Sequence, residues 1–171
     1  GVSWIDEENR TERYAKSIAI SLACQAQLPE CLEKANHELN EHVSHGKWIA
    51  PEYVGLIYCN GLRTANALLF ISMQNRLLRS TDEVERWNII GGLACTQNYD
   101  HLVFFLNLAI TPGNTHSFSE RSRILTAPAS NGEQSLITMI EFIEMKFAVI
   151  IDDSPVLLTN MLNSISWFIA S

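Results

Sequence analysis

Apolar residues recur at three- and four-residue intervals along most of the chain, short polar or Pro/Gly-containing stretches separate the runs, and period-two alternation never lasts beyond a few residues. That pattern predicts an all-α protein. A first helix is predicted over about 11–25, with Tyr14, Ile18, Leu22 and Gln25 along one line and Leu28-Pro29 stopping it. A second covers about 29–44: Pro29 suits its first turn, Glu30 and Glu33 favour its positive end, and Gly46 lies just past it. Pro51 opens a third helix carrying Tyr53, Ile57 and Tyr58, and a fourth over about 64–78 presents Leu68, Ile71, Leu77 and Leu78. The turn Arg79-Ser80-Thr81-Asp82 offers Ser80 or Thr81 as the cap of a fifth helix over about 82–95. Gly91-Gly92 inside that helix costs roughly 1 kcal/mol per glycine against alanine, for which close helix packing is the usual compensation. Four more helices are predicted over about 99–109, 120–129, 132–149 and 157–170, with a Pro112-Gly113-Asn114 loop between the first two and Pro128 set to break a continuing helix.

Short helices joined by turns of a few residues form antiparallel hairpins, which stack either as an α-solenoid of the HEAT/armadillo type or as a bundle. The solenoid is the expected arrangement, although no sequence-level repeat marks its period. The 171 residues, 47% of them hydrophobic, suffice for one domain with a core of its own. The Trp, Tyr and Phe residues fall at helical spacing and are read as core. The last helix ends in Trp167-Phe168-Ile169 with no polar cap, so 1–171 is expected to be part of a larger helical domain.

Charge narrows the function. Against 19 Asp and Glu stand 12 Lys and Arg, a net charge of -7 with no basic run, which excludes a nucleic-acid partner. No stretch approaches the roughly 18 unbroken apolar residues of a membrane helix, and GVSWIDEENR has neither the basic nor the apolar region of a signal peptide. None of Cys24, Cys31, Cys59 and Cys95 stands at C-x-x-C spacing, which leaves free core thiols and disulfides both open. Asn9-Arg10-Thr11 is a sequon in a polar segment before the first helix, and Asn9 is expected to be glycosylated in a eukaryotic secretory pathway.

Candidate chemistry is sparse. His37-Glu38-Leu39-Asn40-Glu41-His42 resembles a zinc-binding HExxH with one residue too many: ligands at i and i+4 lie about 40° apart on a helix, whereas i and i+5 lie about 140° apart. His42 and His45, with Glu38 and Glu41 nearby, offer at best a weak chelate, and the plainer reading is a solvated helix end whose polarity suits imidazolium. Asp152-Asp153 reads as a solvated turn before Ser154-Pro155. No G-x-S-x-G, phosphate loop or dinucleotide fingerprint occurs. The residues therefore predict no catalytic group, no metal ligand and no cofactor in this chain.

From Ile18 onward the chain resembles the C-terminal helical domain of the zinc aminopeptidases that include aminopeptidase N and the endoplasmic-reticulum aminopeptidases. Ala23-Cys24 through Leu28-Pro29-Glu30-Cys31-Leu32 is similar to that family's short disulfide loop; VGLIYCN, from Val54 to Asn60, resembles its "hPxxRxxVYCxA" helix; and DEVERWNIIGGLACT, from Asp82, resembles the "nEkxxLLxALaCT" helix with the partner cysteine. Leu102 to Leu108 resembles the "LLxxyLxxsL" helix, and Ser122-Arg123-Ile124-Leu125 with Glu141-Phe142-Ile143 the next pair. The resemblance implies disulfides Cys24–Cys31 and Cys59–Cys95, and an arched stack of hairpins closing over a separate catalytic domain of the same polypeptide. That domain holds the zinc, its HExxH helix and the GAMEN strand, none of which is in this sequence. It further implies peptides as substrates of the parent enzyme and a place in the secretory pathway or on the extracellular side of the plasma membrane. Arg63, Arg121 and Arg123 are the candidates for meeting a peptide carboxylate in the chamber. The rival reading is an independent helical-repeat interaction module, or a docking surface for an external protein, on the same scaffold.

Overall fold

The computed structural model describes residues 10–170. Among them the chain is helical throughout, without strands: α1 Arg10–Gln25, α2 Pro29–His45, α3 Pro51–Arg63, α4 Ala67–Arg79, α5 Glu83–Leu93, α6 Tyr99–Ile110, α7 Phe118–Thr126, α8 Glu133–Asp153 and α9 Pro155–Ala170, with a 3-10 turn Ala127–Ser130 between α7 and α8. The ends follow from local chemistry. Pro29 and Pro51 sit in first turns, where a missing N–H costs nothing. Gly46 closes α2 with φ 69°, a left-handed conformation in which its N–H returns to the Glu41 and His42 carbonyls. The side chains of Asn66, Asp82, Asn98 and Ser117 cap α4, α5, α6 and α7, and Ser117 forms a reciprocal capping box with Glu120.

The odd-numbered helices pack in succession, α1 on α3, α3 on α5, α5 on α7 and α7 on α9. The even-numbered helices form a second layer in which α2 meets α4 and α6 meets α8, and each hairpin α2/α3, α4/α5, α6/α7 and α8/α9 joins the two layers. This is an α-solenoid, with the core between the layers, where Leu39, Leu62, Phe70, Ile89, Phe105 and Phe142 are almost wholly buried. Two bridges tie it: Cys24 to Cys31 across the α1–α2 turn, Cα atoms 5.3 Å apart, and Cys59 of α3 to Cys95 beyond α5, Cα atoms 5.1 Å apart.

Several details differ from expectation. In α4 the buried residues are Leu69, Phe70, Met73, Gln74 and Leu77, while Leu68, Ile71 and Leu78 face outward. In α1 the line Tyr14, Ile18, Leu22 is exposed and the core contact comes from Ile20 and Cys24. Both helices carry two apolar stripes, and only one of them meets the core. The aromatic residues are accordingly not all core: Trp48 and Trp167 are about two-thirds exposed, and Phe104, Phe118 and Phe147 are half exposed. Asp82, not Ser80 or Thr81, caps α5, because its carboxylate reaches the N–H groups of Val84 and Glu85, while the Ser80 hydroxyl donates to Glu85. Asp152 and Asp153 belong to the last turn of α8 rather than to the loop. Pro128 does not simply end a helix; it begins the 3-10 turn that redirects the chain into α8.

One polar knot braces the middle of the stack. Arg86 donates through Nε to Glu120 (2.6 Å), through Nη1 to the carbonyls of Leu77 (2.6 Å) and Ser80 (3.2 Å), and through Nη2 to Nδ1 of His116 (3.3 Å). Because guanidinium can only donate, His116 Nδ1 is the acceptor and the imidazole is neutral. Burial first, with Arg86 in support, holds His116 below the ordinary imidazole range despite the opposing Glu120. Glu120 is held below the ordinary carboxylate range by its Arg86 and Ser117 hydrogen bonds, which together outweigh its burial. His116 is protonated first in the unfolded chain, so its contribution is complete above about pH 6.5 and is lost as pH falls through its lower folded value. That of Glu120 is present above about pH 4.3 and is lost only at still lower pH. Tm is therefore expected to be lower at pH 5.5 than at pH 7.5, and His116→Gln to flatten that difference. A wild-type Tm unchanged across this window, read by circular dichroism, would contradict the neutral assignment.

Candidate functional site

The outward face of the odd layer is where the helices leave a recess. Its floor is α3, with Leu56, Cys59 and Asn60, and its walls are the end of α1 and the segment 130–132; the cavity is about 600 Å³. Ser21, Gln25 and Asn131 line it with hydroxyl and amide groups, and Arg63 is the one charged side chain among the described residues that line it. Arg63 lies in the last turn of α3, where a cation meets the helix's negative end. Its Nε donates to Asn60 Oδ1 (3.2 Å), and Asn60 in turn donates to the Leu56 carbonyl (2.9 Å), which fixes the guanidinium against the helix. Among the described residues no carboxylate pairs with Arg63, and burial alone pulls its pKa down. A half-desolvated guanidinium without a counter-charge, ringed by amides, suits an anionic oxygen pair.

The other two arginines are engaged elsewhere. Arg121 donates through Nε to the Ala109 carbonyl (2.6 Å) and pairs with Asp153, so it pins α7 to the ends of α6 and α8. Arg123 lies over the Trp87 ring, its guanidinium carbon 4.2 Å from the centroid, and Gly91 leaves it room, since a Cβ there would stand 2.9 Å from Nη2. Burial lowers the pKa of Arg123 as well, and its Nε is enclosed without a hydrogen-bond partner. The structure thus places the three arginines in three different settings, of which only that of Arg63 lines the recess.

The histidine segment is a brace. His42 Nδ1 donates to the Lys47 carbonyl (2.6 Å) and its Nε2 accepts from the Tyr58 hydroxyl (3.1 Å), so both ring nitrogens are spent on holding the α2–α3 connection. Glu38, 7% exposed, pairs with Lys47 Nζ at 2.6 Å. His37 is exposed, and His45 reaches only Glu41, at 3.4 Å. Zinc would need the nitrogens that His42 has committed, and no group of three metal-ligating side chains is assembled among the described residues. Asn9, the acceptor of the sequon, lies outside the described residues.

Across 2–170 the sequence matches the family model described as the ERAP1-like C-terminal domain. The chain belongs to that family. Aminopeptidase N of Plutella xylostella is 22% identical to this ERAP1-like domain over 142 residues, covering 82% of this chain and 15% of that protein. The match therefore takes in less than a sixth of that relative's length. Residue type put Arg63, Arg121 and Arg123 on one footing, and it missed the pairing of Arg123 with Trp87, which depends on the offset between α5 and α7; the Gly91 beside it is the one signal in the sequence.

Proposed function

We propose that this chain is the non-catalytic C-terminal domain of a zinc aminopeptidase, and that its odd-helix face shapes the chamber in which the enzyme receives peptides. The observation that carries this reading is Arg63, a half-buried guanidinium that no carboxylate among the described residues pairs, in a polar recess of a chain of this family. Its role is to meet the carboxylate of a peptide whose amino end lies at the zinc. The catalytic domain of the same polypeptide supplies the zinc, which polarises the scissile carbonyl and activates water. The two disulfides suit an oxidising compartment, so the protein works in the secretory pathway or on the extracellular face of the plasma membrane, with Asn9 glycosylated.

The test uses Arg63→Gln in the complete enzyme. KM for a free-acid peptide is expected to rise about tenfold, the equivalent of one charge-assisted hydrogen bond, while the same peptide as its C-terminal amide and a leucyl chromogenic substrate are unaffected. Equal changes for acid and amide, or none for either, would remove the carboxylate role. The 171-residue chain alone, after dialysis, is expected to retain no stoichiometric zinc and to leave leucyl and alanyl chromogenic substrates intact. One tightly held zinc with chelator-sensitive turnover would overturn the non-catalytic assignment.

A further inference from the structure

Asn-Gly occurs twice in the chain, at Asn60-Gly61 and Asn131-Gly132, and both asparagines line the recess that holds Arg63. In such a pair the glycine nitrogen, once deprotonated, can attack the preceding side-chain amide, since glycine puts no Cβ in the path of the ring closure. The two side chains are restrained alike. Asn60 Nδ2 donates to the Leu56 carbonyl (2.9 Å), and Asn131 Nδ2 to the carbonyls of Ala94 (2.9 Å) and Ala127 (3.2 Å). The backbones are not alike. Gly61 is buried inside α3: its N–H belongs to the helix ladder, its carbonyl accepts from Asn36 Nδ2 (2.9 Å), and a Cβ there would stand 2.9 Å from the Ala35 carbonyl oxygen. Gly132 is exposed, between the 3-10 turn and α8, with φ 115° and open space where a Cβ would be. Among the described residues neither its N–H nor the Asn131 carbonyl has a hydrogen-bond partner. From ψ 13° at Asn131 the Gly132 nitrogen therefore swings toward Asn131 Cγ without breaking a backbone hydrogen bond.

We propose that Asn131 is a site of spontaneous deamidation, and that the product places a carboxylate beside Arg63. The Gly132 nitrogen gives its proton to hydroxide and bonds to Asn131 Cγ; the Cγ–Nδ2 bond breaks, and Nδ2 takes a proton from water and leaves as ammonia. The succinimide that remains is opened by water at either of its carbonyls, which yields aspartate or isoaspartate at 131 with no redox partner. A carboxylate cannot donate, so the bonds to the Ala94 and Ala127 carbonyls are replaced by repulsion from their oxygens. Arg63 is at hand to receive the displaced group. Asn131 Oδ1 stands 3.4 Å from Cys95 Sγ, and Cys59, the other half of that bridge, lies one turn before Arg63 on the same face of α3. The new charge thus enters a recess whose guanidinium no carboxylate among the described residues pairs. The modification does not rest on the peptide role proposed for Arg63.

The experiment incubates the folded 171-residue chain at mildly alkaline pH and maps it by digestion and mass spectrometry. The peptide carrying Asn131 is expected to gain about one mass unit and to contain isoaspartate. The peptide carrying Asn60 is expected to change roughly a hundredfold more slowly, because its buried helical site reacts only after local opening. Equal rates at the two positions, faster change at Asn60, or an intact Asn131 in the folded chain under conditions that convert it in the denatured chain would overturn the site. The placement of the new charge is read by a double-mutant cycle in thermal unfolding. Arg63→Gln is expected to lower Tm by about 3 °C more in an Asn131→Asp background than in the parent chain, as one ion pair is lost with it. Equal losses in the two backgrounds would show that the carboxylate does not meet Arg63. The mapping on the unmodified chain decides the site even if a variant does not fold.

Discussion

Replacing Cys59 and Cys95 together by alanine is expected to lower the unfolding free energy by about 4 kcal/mol, a large share of the roughly 5–15 kcal/mol that stabilises a typical domain. The bridge closes a loop of 36 residues that contains the last turn of α3 and the whole of α4 and α5. Closing so long a loop removes more conformational freedom from the unfolded chain than the Cys24–Cys31 bridge does across 7 residues, for which the same reasoning gives about 2.4 kcal/mol. Position adds to length. A solenoid has few contacts between residues far apart in sequence, so each repeat depends on its immediate neighbours. The Cys59–Cys95 bond joins two successive members of the odd layer, one of them through Cys95, which is 3% exposed. Urea unfolding of the double variant against the parent measures the loss. A difference under about 1 kcal/mol would mean that the unfolded chain is not appreciably restrained by the bond.

Gly92→Val is expected to cost about 3 kcal/mol, and Gly92→Ala about 2 kcal/mol, by forcing apart helices that have no slack. A Cβ at Gly92 would stand 2.8 Å from Tyr58 Cβ, 3.1 Å from the Tyr58 carbonyl carbon and 3.2 Å from a Leu62 methyl carbon. The first two are close to or part of the α3 backbone and cannot swing away. Gly55, also on the odd layer, provides the opposite sign: an added Cβ there has its nearest neighbour at 4.0 Å, the Asn88 side chain. Gly55→Ala should therefore show the helix-propensity gain, about 1 kcal/mol of added stability. Thermal and urea unfolding of the two alanine variants in parallel provide the check. If both stabilise, α3 and α5 do not approach as closely as described.

How much of this was legible in the sequence depended on whether a feature is local. Pro29, Pro51, Gly46 and the Pro112-Gly113 loop act on the chain within a few residues, and the helices start and stop beside them. The family motifs also read through, because VGLIYCN and the segment around Gly91-Gly92 place Cys59 near Cys95 and a glycine where α5 crosses Tyr58. What the sequence left open was orientation. Tyr14, Ile18 and Leu22 follow a helical stripe as well as Ile20 and Cys24 do, and nothing within α1 says which stripe meets α3. The same ambiguity hid Gln74, which reads as one polar residue among apolar ones until α4 is rotated so that it points inward. The three candidate arginines were chosen by residue type alone, and only packing shows that Arg121 is occupied by Ala109 and Asp153 and Arg123 by Trp87.

The two layers also differ mechanically. Between α3 and α5 the odd layer is held at a fixed spacing, prevented from parting by a covalent bond and from closing by the Gly92–Tyr58 contact. The even layer at the same level has a gap where α4 and α6 diverge. A beam built in this way has its inextensible fibre along one side, so it bends by opening and narrowing the other. Bending of the stack would then be taken up in the width of the α4/α6 groove, while the spacing between α3 and α5 stays constant.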